Sequence, residues 1–183
     1  MNDSRNPSEP NEEVVLVDEH DRRVGTAEKL EAHRSGKLHR ALSVFVFDRD
    51  GRLLIHQRAA EKYHSGGLWS NTCCSHPRPG EEVADAARRR LGEEMGLENV
   101  HLEEWFTFTY RARVGPELWE HELDHVFVGL SDGDPDPSPE EVADWRWVTL
   151  AELAEEVEAH PDRFTYWFRE LLPKVQAEAR SRE

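Results

Sequence analysis

Cysteine is almost missing from this chain: there are two in 183 residues, side by side at Cys73 and Cys74. Adjacent thiols cannot frame a set of disulfides, so a reducing, cytoplasmic compartment is expected. No apolar run approaches the roughly 18 residues that a membrane-crossing helix needs. The first residues, Met1-Asn2-Asp3-Ser4-Arg5, lack the basic-then-apolar layout of a secretory signal. Positive charge is also scarce, with 23 Lys and Arg against 38 Asp and Glu for a net charge of −15. Such a field repels nucleic acid and anionic membrane, so neither is expected as a partner. An anionic substrate would need a locally positive pocket. The acidity reads either as plain solubility or as the hydrated surface suited to a high-salt cytosol.

What is present describes a folded domain. The composition is 37% hydrophobic and 33% charged, and the length suits one domain with a sizeable core. Residues 1–12, polar and carrying Pro7 and Pro10, read as a disordered leader, and residues 13–183 as a single domain. Short strands are expected over residues 13–18, 38–48, 52–57 and 144–148, with two long ones over 100–113 and 118–130. Arg49-Asp50-Gly51-Arg52 gives the strongest hairpin signal, joining the second and third strands. Helices are expected over 28–35, closed by Gly36, and over 82–95, closed by Gly96. A capping box, Thr149-Leu150-Ala151-Glu152, opens another helix to about residue 159. A last helix spans about 165–180, with Pro173 placed to kink it. Mixed strands with a few packed helices make an α/β (α+β) sandwich.

Three groups of residues carry chemistry. The thiols sit among Ser70, Asn71, Thr72, Ser75 and His76, which are buried packing neighbours or groups able to polarise a thiolate. On a strand, Glu120, Glu122, Asp124, Val126 and Val128 share one face. If the valines face the core, Glu120 and Glu122 end an inward face and need a neutralising cation; otherwise they form a wet strand end. Ten histidines are available. His33, His39 and His76, with two glutamates, would make an N3O2 set suited to Zn²⁺, Mn²⁺ or a similar ion, if folding brings them together. On the 82–95 helix, Arg89–Glu93 and Arg90–Glu94 have the spacing of surface ion pairs.

That helix and its flanks resemble the Nudix box, with Glu81, Arg89, Leu91 and Glu93-Glu94-Met95-Gly96-Leu97 in place. Ser75 stands where the opening glycine should be, and Arg90 replaces the glutamate after the arginine. In Nudix hydrolases that glutamate binds metal for phosphoanhydride cleavage, so its loss points to a relative that keeps its diphosphate intact. The chain is similar to type I isopentenyl-diphosphate Δ-isomerases from about Val14 to its last helix. The resemblance includes Gly25 to Lys29, His33, Leu38 to Ala41, Gln57-Arg58-Ala59, Lys62, Trp69 to Pro77, Tyr110-Arg111-Ala112, Trp119 to Glu122 and Tyr166-Trp167.

The resemblance implies a Nudix-type arrangement of mixed sheets between helices, and interconversion of isopentenyl and dimethylallyl diphosphate by an allylic proton shift. It implies that His33, His39, His76, Glu120 and Glu122 bind one divalent ion, Mn²⁺ or Zn²⁺. Glu94 and the Cys74 carbonyl would hold Mg²⁺ on the substrate diphosphate. Glu122, with Tyr110 beside it, is the implied proton donor and Cys74 the acceptor, while Trp167 faces the cationic carbon. Lys29, Arg58, Lys62 and Arg90 would form the positive pocket for the prenyl diphosphate. A monomer is expected. Three other readings remain: a Nudix diphosphohydrolase, a metal-dependent binding protein on a disabled Nudix fold, and a thiol redox module. Arg90 opposes the first and the complete Cys74, Tyr110 and Glu122 set the second. The third lacks the usual Cys-x-x-Cys spacing.

Overall fold

The computed structural model describes residues 12–182. The leader expected over residues 1–12 lies outside the described residues except for Glu12. Glu12 is tied down: its carbonyl accepts from the Lys29 amide at 2.8 Å, and its carboxylate meets Lys29 Nζ at 3.2 Å.

The chain runs through β1 (Glu13–Val17), β2 (Arg23–Glu28), α1 (Lys29–Ser35), β3 (His39–Phe47), β4 (Arg52–Arg58), β5 (Trp69–Ser70) and β6 (Cys73–Ser75). It continues through α2 (Val83–Met95), β7 (Leu102–Gly115), β8 (Leu118–Leu130), β9 (Val142–Thr149), α3 (Leu150–Ala159) and α4 (Tyr166–Ser181). The sheet is mixed, as expected. Strand β3 runs parallel to β8 from His39↔Glu122 to Phe47↔Leu130, while β7 pairs antiparallel with β8.

The hairpin expected between β3 and β4 is corrected. The turn forms, with Gly51 at positive φ, but the ladder holds only the Phe47↔Leu53 pair. Strand β4 leaves to pair with β9 and β5, and β6 takes the freed edge of β3. Thr72 explains the divergence. Its hydroxyl accepts from the Val46 amide at 2.9 Å and donates to the Leu54 carbonyl at 2.6 Å. Residues 70–75 are therefore wedged between the two strands, with buried backbone groups satisfied by one side chain. Strands β2, β5 and β6 were not foreseen, because each is too short or too polar to show a period of two.

Alternation along β3 divides the core. Leu42, Val44 and Val46 pack with Ala87, Leu91 and Met95 of α2, while Phe45 and Phe47 pack with Phe168, Leu171 and Leu172 of α4. Each fully buried Leu or Phe contributes about 1.5–3 kcal/mol. Helix α2 ends in Gly96 at φ 64°, where a side chain would run into the Asp136 backbone. The Thr149–Glu152 capping box is present, and α4 continues through Pro173 to Ser181. Along β8 the face shared by Val126 and Val128 becomes carboxylate at Asp124, Glu122 and Glu120, all buried. The apolar face thus turns into a polar cavity floor.

The segment between β4 and β5 is held by Arg58 N–H to Leu68 carbonyl at 2.9 Å and Gly67 N–H to Arg58 carbonyl at 3.0 Å. A side chain on Gly66 would collide with the Ala60 carbonyl and come within 3.2 Å of the Ala59 oxygen. Backbone cannot retreat as a flexible side chain can, so Gly66→Ala is expected to lose about 1–3 kcal/mol of stability. Urea unfolding measures this, and an unchanged midpoint would show that the segment relaxes freely.

Candidate active site

Strand β6 gives the two thiols different surroundings. Cys73 is fully buried in the α2 side of the core, whereas Cys74 faces a cavity of about 420 Å³. The Asn71 amide donates to the Val44 and Cys73 carbonyls at 3.0 and 2.9 Å, which turns its oxygen toward Cys74 Sγ at 2.9 Å. That oxygen accepts from the S–H and favours the thiol, so Asn71 does not polarise a thiolate as its position in the sequence suggested. Trp167 Nε1–H, at 3.0 Å from both Cys74 Sγ and Ser70 Oγ, is the opposing donor. Burial, then the charge of Asp124, pushes the Cys74 thiol up to about 12, against the pull of Arg58. Burial also pushes the Cys73 thiol well above the usual thiol range. Asp124 is itself raised by burial and by Glu122, and accepts from Ser43 Oγ at 2.6 Å.

The expected histidines converge on Glu122. Nε2 of His76, His39 and His33 lies 3.0, 3.3 and 4.0 Å from Glu122 Oε1. His33 is delivered by α1, His39 by the start of β3 and His76 by the residue after β6. The Nδ1–H of His33 donates to the Lys29 carbonyl at 2.7 Å, and that of His39 to the Lys37 carbonyl at 2.9 Å. A carbonyl only accepts, so in the neutral form of both rings Nε2 is the bare lone pair. Both Nε2 atoms are buried without a hydrogen-bond partner. Two oriented lone pairs beside a carboxylate make a donor set suited to a divalent cation. Burial, then the neighbouring histidines, lowers His33 to about 3, the neutral form that a metal ligand needs. Burial also lowers His76 despite Glu122, whereas at His39 the pull of Glu122 overcomes burial and raises it. Burial would raise Glu122, but the imidazoles of His39 and His76 beside it hold it far below the usual carboxylate range.

Glu120 stands slightly apart from these four. It groups with His33 and with His64, a residue that sequence reasoning passed over, whose Nε2 is 3.1 Å from Glu120 Oε1. The Tyr110 hydroxyl lies 2.8 Å from Glu120 Oε2 and from Glu122 Oε2. Burial and then those carboxylates raise Tyr110 well above the usual phenol range, so it remains a donor.

The cavity mouth is cationic. Lys29, Arg58, Lys62, Arg78, Arg89 and Arg90 line it, six of the 23 Lys and Arg in an otherwise acidic chain. Arg58 lies 5.3 Å from the Trp167 ring, and Nε of both Arg58 and Arg90 is buried without a hydrogen-bond partner. Orphaned guanidinium N–H groups in a cavity suit an anion. Carboxylates occupy several of these cations: Glu12 meets Lys29, Glu141 meets Lys62, and Glu94 meets Arg90. Burial raises the Glu94 carboxyl, with Arg90 opposing. Of the thirteen site residues named from the sequence, eleven line this cavity, and His33 and His39 adjoin it through Glu122. Glu12, Ser43, His56, His64 and Glu141 join them from the structure. Of these, His64 and Glu141 neighbour residues already singled out, and no pattern marked the others.

A cavity lined by several cations beside Cys74, Glu122 and Trp167 suits a small anionic substrate. Comparison with known proteins shows the family. The model of the NUDIX domain matches residues 37–168. An Aromatoleum aromaticum protein named isopentenyl-diphosphate Delta-isomerase 2 is 56% identical over 90% of this chain and 86% of its own length. A Serratia proteamaculans protein named isopentenyl-diphosphate Delta-isomerase is 48% identical over 91% of this chain and 92% of its own. A Deinococcus radiodurans crystal structure shares the fold at a TM-score of 0.75 and 22% identity, over 89% of this chain and 98% of that one.

Proposed function

Because this chain belongs to the isopentenyl-diphosphate Delta-isomerase family, on a Nudix fold, we propose that Cys74 and Glu122 are the proton-transferring pair of its allylic shift. The enzyme interconverts isopentenyl and dimethylallyl diphosphate. The observation that carries the residue assignment is that a thiol and a carboxylate line one cavity, together with Trp167 and a set of cationic side chains.

The chemistry demands such a pair. An unactivated alkene is a very weak base, and its protonation yields a tertiary carbocation that water would capture. The site must therefore supply an acid, a base on the other face, cation stabilisation and dryness. From isopentenyl diphosphate, Glu122 gives its proton to the terminal alkene carbon, and Tyr110 holds the carboxylate in place. Cys74 then takes a proton from the carbon between the cationic centre and the carbon that bears the diphosphate, closing the new double bond. The roles exchange in reverse. A thiol at Cys74, favoured by burial, and a carboxylate at Glu122, favoured by His39 and His76, are the starting forms for the reverse direction. Trp167 offers an electron-rich face to the cation, worth about 2 kcal/mol when desolvated.

His33, His39, His76, Glu120 and Glu122 would hold one divalent ion, read here as Zn²⁺ or Mn²⁺, and Glu94 with the Cys74 carbonyl would hold Mg²⁺ on the diphosphate. Bound there, these ions would neutralise the buried carboxylates and the diphosphate and so tune their proton affinity. Lys29, Arg58, Lys62 and Arg90 anchor the anion. Arg90 stands where a Nudix hydrolase keeps a metal-binding glutamate, which favours retaining the diphosphate over cleaving it. We read residues from Glu13 onward as one catalytic unit acting as a cytoplasmic monomer. Among the described residues no helix is long and apolar enough to cross a membrane.

The direct test supplies isopentenyl diphosphate with Mg²⁺ and Mn²⁺ or Zn²⁺. Dimethylallyl diphosphate is expected to form with no release of phosphate. Phosphate or pyrophosphate appearing at the same rate as product would point to hydrolysis instead.

A further inference from the structure

His64 has no part in the pair described above, yet it sits beside it. We infer that His64 is the positioning residue for Glu120, its Nε2–H holding one carboxylate oxygen while the Tyr110 hydroxyl holds the other. The inference rests on the cation-site reading. His64 Nε2 is 3.1 Å from Glu120 Oε1, Tyr110 Oη is 2.8 Å from Glu120 Oε2, and all three residues are buried.

The second ring nitrogen separates His64 from the ligand histidines. In His33 and His39 the Nδ1 faces a backbone carbonyl, so Nδ1 must carry the hydrogen and, in the neutral ring that binds a metal, Nε2 is left bare. In His64 the Nδ1 faces the Ser65 hydroxyl at 3.2 Å. A hydroxyl can donate, so Nδ1 can accept and Nε2 can carry the hydrogen toward Glu120. The same imidazole group is thus set as a lone-pair donor at two positions and as an N–H donor at the third.

The surroundings fix that ring. It lies edge-on to Tyr63 at 4.4 Å and to Trp167 at 6.0 Å, measured between ring centres. Its carbonyl accepts from Arg58 Nη2 at 3.3 Å, and the next residue, Ser65, takes a φ of 54°. The close approach at Gly66 completes the loop that aims His64 inward. A carboxylate held at both oxygens meets a cation without first losing side-chain freedom, and partners of this kind typically govern 10- to 100-fold in metal affinity.

The experiment measures Mn²⁺ binding by the spin-resonance signal of the free ion, for the whole chain and for His64→Ala, His64→Gln and His33→Ala. His64→Ala is expected to bind about 10- to 100-fold more weakly, and His64→Gln, whose amide N–H reaches the same place, to stay within about threefold of the parent. Spin-echo spectra should count three coupled histidine nitrogens in both parent and His64→Ala, from His33, His39 and His76. Unchanged affinity in His64→Ala, with loss in His33→Ala, overturns the role of His64 alone. Unchanged affinity in both overturns the cation-site reading. Four coupled nitrogens in the parent would make His64 a ligand and overturn its positioning role. If His64→Ala does not fold, His64→Leu, bulky but without a donor, takes its place.

Discussion

Cys74→Ala is expected to abolish deuterium uptake from D₂O into isopentenyl diphosphate, with turnover lower by about 10²- to 10⁴-fold. Cys73→Ala should keep most of its turnover. The contrast follows from β6. Adjacent residues of a strand point to opposite faces, so Cys73 packs among Leu42, Val44 and the α2 side chains while Cys74 opens onto the cavity. Removing the Cys73 sulfur leaves a small void and costs about 1 kcal/mol of stability. Removing the Cys74 sulfur takes away the group facing Asn71 Oδ1 and Trp167 Nε1. Cys74→Ser separates packing from chemistry, because a hydroxyl fills the space but is a far poorer proton acceptor once ionisation is required. Equal losses at both cysteines, or none at either, would sink the assignment.

Glu122→Gln should be nearly as damaging, through two separable effects. The carboxylate is the shared partner of His76 at 3.0 Å, His39 at 3.3 Å and Tyr110 at 2.8 Å. An amide keeps the shape but loses the charge and turns an N–H toward lone pairs. Divalent-ion affinity is expected to fall at least about 100-fold. At saturating metal, turnover should still fall by about 10²- to 10⁴-fold, since the amide can neither give nor take the proton. Dialysis and metal analysis read the first effect, and isomerisation at high Mn²⁺ reads the second. Full recovery of turnover with added metal would leave Glu122 as a ligand only and remove it from the proton pair.

Much of this was legible beforehand because it depends on local period. The alternation of Glu120, Glu122, Asp124, Val126 and Val128 required one face, and once Val126 and Val128 are core the carboxylates must be buried with them. Gly96 and the Thr149–Glu152 box likewise act over a single turn. Long-range pairing was not legible. Arg49-Asp50-Gly51-Arg52 has good hairpin chemistry, and nothing nearby says that Thr72 will part the strands. His64 escaped for a similar reason: one histidine in a loop has no period, and its value comes from Glu120, fifty-six positions away in the chain. The direction of the Asn71 amide was hidden too, since two carbonyls from other segments decide it.

The Thr72 wedge also bears on timing. A thiol on a mobile loop would have to search for its position each time a substrate arrives, and that search would add entropy to the barrier. Here the sulfur rides on a three-residue strand bonded to β3 and anchored by Thr72 and Asn71, so its place is settled when the sheet folds. The ordering is done once in the life of the molecule rather than once per turnover. Any rearrangement that the proposed diphosphate binding requires then falls to the cationic mouth, where Glu12 and Glu141 hold Lys29 and Lys62.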